Sequence, residues 1–260
     1  MHYNSVLFMG RKSVAAKALE WLYHQENIKI YGVITDSHLS ISPTREMALK
    51  LGIPILTRDM VENQILEKGV GFDLAVSLLY WQKIRTPILK SAKKGVVNFH
   101  PAPLPDYKGT AGYNLAILEG LDRWAVTAHY VDEDIDTGDI IKINSFDISR
   151  EDETVDSIER KSQYYLFETF KEIVSLAIQT TDRLPSKQNI GGRYISRHEM
   201  ESMKAIKEED DIERKIRAFW YPPYDGAYIE IDGKKYTLVN RKILSEISPC
   251  STNSLFTPKL

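Results

Sequence analysis

Short apolar runs alternate with helix-patterned stretches from the beginning of this chain, and that alternation limits its fold more than any other feature. Residues 5–9 (SVLFM), 28–35 (IKIYGVIT), 53–55 (IPI), 73–78 (DLAVSL) and 96–99 (VVNF) read as strands, most of them buried. A helix is expected after Gly10-Arg11-Lys12-Ser13, with Ala15, Ala18, Leu19 and Leu22 at helical spacing and Ser13 as its N-cap. Two more are expected near 43–51 and over 58–68. This order specifies an α/β fold: a Rossmann-like, mostly parallel sheet with helices on both faces. Ligands of such sheets lie beyond the carboxyl ends of the strands, where the strand order switches.

Past residue 120 the character changes. Strands at 125–131 and 139–146 flank an acidic loop, and a long helix over about 154–178 places Leu166, Phe170, Ile173, Val174 and Ala177 on one face. A polar connection follows, then a helix around 208–219, Tyr221-Pro222-Pro223-Tyr224, and a hairpin of 227–231 and 235–241 turned by Asp232-Gly233. The expected organisation is a main domain over 1–180, a linker over 181–206, a small C-terminal α+β extension over 207–245 and a loose tail over 246–260.

Composition excludes several classes. With 43% hydrophobic and 27% charged residues the chain is globular in type. Its net charge of -2 gives no general attraction for nucleic acid. One cysteine, Cys250, leaves no internal disulfide and makes a poor candidate nucleophile in a tail. No apolar run approaches the roughly 18–20 residues that span a bilayer. The opening MHYNSVLFMG lacks the charge and cleavage pattern of a signal peptide, so a cytoplasmic protein is expected.

Two stretches carry candidate chemistry. The first is Asn98-Phe99-His100-Pro101-Ala102-Pro103-Leu104-Pro105-Asp106-Tyr107-Lys108-Gly109, where three prolines stiffen the chain beyond a strand end. Asn98 and His100, two apart in extended backbone, point the same way. An amide beside an imidazole suits one small carbonyl: the amide stabilises an oxyanion and the ring handles a proton. A capped strand end with one hydrogen-bonded core histidine would read the same. The second stretch, 132–139, holds five acids in eight residues. It fails as a calcium loop, because Thr137 and Ile143 stand where an EF-hand needs Gly and Glu. It is either a solvated turn or the source of a carboxylate that orients His100 and raises its pKa. His2, His24, His38, His129 and His198 lack metal-ligand spacing, and His129 reads as a packed strand residue. Gly10-Arg11-Lys12-Ser13 at a strand-to-helix turn is a weak phosphate signal.

Taken together, NFHPAPLPDYKGTAGYNLAILEG (98–120) and AVTAHYVDEDIDTGDII (125–141) resemble the folate-dependent formyltransferase family over about residues 3–178. The resemblance implies a catalytic triad of Asn98, His100 and Asp136, and 10-formyltetrahydrofolate as co-substrate without a metal. It implies that SLLYWQKI (77–84) lines the pterin pocket through Tyr80, Gln82 and Ile84, with Asp132, Asp134 and Ile135 opposite. Ala102-Pro103 departs from the Ser-Leu of many members and is expected to alter the substrate-side wall. Residues 192–206 and 216–243 resemble the linker and small C-terminal region of the longer members, which include methionyl-tRNA and nucleotide-sugar formyltransferases.

Among acceptors, the resemblance points most to a nucleotide-linked (dTDP- or UDP-) amino sugar, and through it to lipopolysaccharide O-antigen synthesis. Arg11, Lys12, Tyr107, Lys108, Tyr113 and Asn114 are the expected substrate contacts. No nucleic-acid or membrane partner is expected, and a homodimer is. Methionyl-tRNA is the alternative acceptor, disfavoured by a short, nearly neutral C-terminal part; purine-pathway members usually stop near the end of the main domain. A catalytically silent folate- or nucleotide-binding protein is the alternative of a different class.

Overall fold

The computed structural model describes residues 3–36, 39 and 42–247. Its first half alternates β1 (Asn4–Gly10), α1 (Lys12–Tyr23), β2 (Ile28–Ile34), α2 (Pro43–Lys50), β3 (Ile55–Leu56), α3 (Arg58–Lys68), β4 (Leu74–Leu78), α4 (Thr86–Ser91) and β5 (Val96–His100). Then come β6 (Tyr107–Gly109), α5 (Gly112–Leu118), β7 (Arg123–Tyr130), β8 (Ile140–Asp147) and α6 (Val155–Gln179). A seven-stranded sheet runs β3-β2-β1-β4-β5-β7-β8. The pairs from β3 to β5 are parallel, whereas β5–β7 and β7–β8 are antiparallel.

The buried central strand explains the layering. Successive residues of β1 point to opposite faces. Val6 and Phe8 enter a core with Leu19 of α1 and Phe170 of α6, while Leu7 and Met9 enter another with Val61 of α3 and Ile88 of α4. Both faces are therefore covered, as the continuous apolar run requires. On α6 the Phe170 ring meets Phe8 edge-on at 6.2 Å and Phe99 of β5 at 5.1 Å. A capping box of Thr154 and Ser157 starts that helix.

The order switches between β1, whose next strand lies on one side, and β4 on the other. Gly10 makes the crossing tight: a Cβ there would sit 2.9 Å from Ala15 Cβ and 3.1 Å from the Leu78 carbonyl oxygen. The α1 N-cap is Arg11, with no side-chain cap bond, and Ser13 lies inside the helix; the expected Ser13 cap is not formed. The reason is that Lys12 adopts a left-handed φ of 67° and turns the chain into the helix two residues early.

After α6 the chain is more structured than its polar composition suggests. Lys187 bridges to Ile140, and β9 (Arg193–Ile195) pairs in parallel with β6. Then follow α7 (Arg197–Ser202), α8 (Ile212–Phe219), the hairpin of β10 (Tyr228–Ile231) and β11 (Lys234–Thr237), and α9 (Arg241–Ile247). Ala218, Phe219 and Ala227 join the main core. His2, His38, Cys250 and 248–260, most of the expected tail, fall outside the described residues.

Candidate active site

Three carboxyl strand ends meet at the site. Pairing of β5 with β7 puts Asn98 opposite His129 and His100 opposite Thr127. The proline segment beyond β5 is tied to β7, since Trp124 Nε1 donates to the Pro101 carbonyl at 3.0 Å and the Thr127 hydroxyl to that of Ala102 at 2.8 Å. The acidic loop then returns Asp136 over the strand ends. Gly138 lets it lie down, because a Cβ there would be 1.9 Å from the Tyr130 carbonyl oxygen. Asp136 itself has φ +56°, a conformation that Asp tolerates better than most residues but at some cost.

Asp136 Oδ2 lies 3.4 Å from His100 Nδ1 and accepts the Gly109 N–H at 3.0 Å; Oδ1 lies 3.6 Å from His129 Nε2. His129 Nδ1 sits 2.7 Å from the Tyr130 carbonyl, which only accepts, so Nδ1 carries the proton. The other ring nitrogen, Nε2, lies 3.0 Å from the Asn98 amide nitrogen. His100 Nε2 is 2.8 Å from the Tyr107 carbonyl. Both His100 nitrogens thus face acceptors.

Burial and pairing pull the charges in opposite directions. Burial would raise the Asp136 carboxyl, but His100, His129 and the Gly109 N–H hold it well below the usual carboxylate range. For His100 burial dominates: the ring pKa is pushed below its ordinary value, and Asp136 offsets this only in part. The expected rise in the His100 pKa is therefore reversed.

Tyr80, Gln82, Ile84, Asp132, Asp134 and Ile135 all line one cavity, together with Asn98, His129, Asp136 and Trp81. His100, 5% exposed, stands behind Asp136 and outside that wall. A second cavity of about 320 Å³ is lined by Arg11, Lys12, Tyr113 and Asn114, with Pro101 and Leu79. Tyr107 and Lys108 lie elsewhere, contrary to expectation: β6 pairs with β9, and neither residue lines either cavity. There the Tyr107 hydroxyl donates to Glu119 and Lys108 Nζ to the Gly191 carbonyl at 2.8 Å. Ala102 is buried in the core, so its departure from Ser leaves the second cavity's wall to Pro101.

Sequence reasoning missed several site residues. His129 was read as packing, and it is buried, but strand register alone would have set it against Asn98. Asn189, in the polar connection, donates to the carbonyls of Asp136 at 2.9 Å and Gly138 at 3.0 Å, pinning the acidic loop. Glu159, Arg197, Lys204 and Tyr221 line the second cavity from α6 and the C-terminal part. No local motif marks any of these four.

A mostly parallel sheet that gathers an amide, an imidazole pair and a carboxylate beside two cavities is suited to group transfer at a carbonyl carbon. The formyl transferase family model matches residues 6–170, and the chain belongs to that family. It is similar to methionyl-tRNA formyltransferase of Listeria innocua serovar 6a, 28% identical over 90% of this chain and 77% of the relative. A 4-N formyltransferase from Francisella tularensis shares the fold with a TM-score of 0.77 at 19% identity, over 92% of this chain and 98% of that one. An N-formyltransferase from Helicobacter canadensis, in complex with folinic acid and dTDP-3-aminofucose, superposes with a TM-score of 0.72 at 23% identity, over 90% and 86%. Among the described residues no helix is long and apolar enough to cross a membrane.

Proposed function

We propose that this formyltransferase moves the formyl group of 10-formyltetrahydrofolate to the primary amine of a nucleotide-linked amino sugar. The observation that carries the reading is that the two cavities are lined by neighbouring residues of the same strand ends, Leu79 in one and Tyr80 in the other. Asn98 and Asp136 line the first, and Pro101, three residues past Asn98, lines the second, so a folate in one and an acceptor in the other would bring their reacting groups to the same strand ends.

The first cavity fits a flat, polar-edged ring system. Tyr80 and Trp81 offer aromatic faces, Ile84 and Val131 apolar walls, and Asp132 and Asp134 carboxylates for ring N–H donors. The folate supplies a formyl carbonyl whose C–N bond is exchanged for one to the acceptor nitrogen. The Asn98 amide, oriented by His129, donates to the oxygen on which charge builds. The Asp136 carboxylate takes the proton that the attacking amine loses as its bond to the formyl carbon forms and, backed by His100, hands it to the folate nitrogen whose bond to that carbon breaks.

Three features support the sugar acceptor. Arg11 and Arg197 line the second cavity, and neither is paired with a carboxylate among the described residues, so two guanidiniums stand ready for a diphosphate. Tyr221 and Tyr224, stacked at 5.6 Å, provide a flat surface for a base. Residues 207–245 balance eight Lys and Arg against eight Asp and Glu, a poor surface for a polyanion. The H. canadensis enzyme, with dTDP-3-aminofucose bound, agrees with this reading. Methionyl-tRNA is the second reading, favoured by the extent of the L. innocua match.

An acceptor panel separates them. Labelled formyl groups should pass to a dTDP- or UDP-amino sugar and not to charged initiator tRNA. Transfer to the tRNA alone would replace the sugar reading with the second one.

A further inference from the structure

The loop after β4 borders both cavities, and the turn after β1 borders the second. Leu79, with a left-handed φ of 55°, reverses the chain direction: its own side chain lines the second cavity, whereas Tyr80 and Trp81 line the first. Bulky residues avoid that backbone region, so packing must hold the turn. Across from it, the Arg11 N–H donates to the Leu78 carbonyl at 3.3 Å, and the Arg11 guanidinium lies 5.7 Å from the centre of the Trp81 ring. Arg11 lines the second cavity and has no carboxylate partner among the described residues. Lys12 beside it is different, being committed to Glu159 at 2.5 Å and to the Tyr221 hydroxyl at 3.3 Å. A guanidinium on the acceptor side therefore lies over an aromatic ring that belongs to the cofactor side.

We propose that the Trp81–Arg11 contact couples the two cavities: a ligand packed against Trp81 fixes the ring, the ring fixes the guanidinium, and Arg11 is then aimed at the acceptor's anionic group. Arg11 binds; Trp81 is a positioning residue that acts through it. The idea rests on the nucleotide-sugar reading above. Coupling of this kind is reciprocal, so each ligand tightens the other by the same factor.

Calorimetric titration of dTDP and UDP into the full chain, with and without saturating 5-formyltetrahydrofolate, measures the factor. In the wild type the folate should tighten the nucleotide about five- to tenfold, at the lower end of ordinary coupling between sites. Trp81→Ala should bring the ratio close to one, and Trp81→Phe, which keeps an aromatic face for the cation, should restore most of it. The ratio is taken at saturating folate, so weaker folate binding by a variant does not alter it. Nucleotide binding that is indifferent to folate in the wild type, or equally coupled in Trp81→Ala, overturns the proposal. If neither nucleotide binds under any condition, the sugar reading fails and the coupling falls with it.

Discussion

Asp136 concentrates the chemistry of the site in one side chain. Its two oxygens face two imidazoles and a backbone N–H from inside a largely buried position, so the carboxylate stays ionised where burial alone would protonate it. Asp136→Asn keeps the shape and removes the charge; kcat should fall by at least about a hundredfold, the scale of lost acid–base help, with circular dichroism unchanged. Asn98→Ala should cost about 10²–10³ in kcat through the lost oxyanion donor. Near-wild-type turnover in either variant would remove these residues from the mechanism. The same residues make the protein acid-sensitive. Folded Asp136 ionises more readily than unfolded Asp, so its stabilisation is complete above about pH 4 and drains away as pH falls toward the folded value. Folded His100 resists a proton that the unfolded ring takes up near about 6.5, so stability also declines below that pH. The thermal midpoint should therefore drop on acidification from pH 7, and His100→Gln should flatten the upper part of that fall. A midpoint that holds steady from pH 7 to 5 in the wild type would contradict the His100 assignment.

At the scale of elements, the acidic loop matters because its internal bonds, from the Asp134 N–H and the Thr137 hydroxyl to Asp132, need help from distant segments to hold Asp136 in place. Its strained Asp136 backbone is fixed by Asn189 from the connection after α6 and by the close packing of Gly138 on Tyr130. Asn189→Ala leaves two carbonyls without their donor, a loss of about 1–3 kcal/mol on the usual scale for buried groups. It should lower the urea midpoint and reduce kcat more than the KM for folate; an activity loss seen only in KM would mean that the loop is not what Asn189 holds. Such contacts mark the limit of what was legible. The strands and the pairing of Asn98 with His100 follow from period-two patterning and the proline run. Ser13 looked like a cap because residue type suggested it, and the left-handed Lys12 overrode that preference. Tyr107 and Lys108 looked like substrate contacts because they share the 98–109 stretch with Asn98 and His100, but pairing of β6 with the unrecognised β9 keeps them off both cavities. Long-range pairing of that sort leaves no local pattern.

Across the whole molecule, the C-terminal part and the main sheet share one interior. Asn114 of α5 donates to the Ala218 carbonyl at 2.7 Å, Arg217 Nη1 to the Glu153 carbonyl at 2.9 Å, and Phe219 is 2% exposed. Uncovering Phe219 and Ile216 alone forfeits about 1.5–3 kcal/mol for each side chain. A chain ending at residue 206 should thus be insoluble or melt far below the full chain, instead of giving a working catalytic domain; a stable, folate-binding fragment would refute that. The second cavity depends on the same packing, since Arg197, Lys204 and Tyr221 come from beyond the sheet. This explains why acceptor contacts were the least readable part of the sequence: they are assembled from segments far apart in the chain, whereas Asn98, His100 and Asp136 fall within 39 consecutive positions.

The central claim is transfer of a formyl group to an amine at the carboxyl edge of the sheet. Release of tetrahydrofolate from 10-formyltetrahydrofolate, followed with and without a nucleotide-linked amino sugar in the wild type and in Asp136→Asn, tests it most directly. The expected result is release that requires the amine and nearly vanishes in the variant. Release at the same rate without any amine, or undiminished in Asp136→Asn, would contradict it.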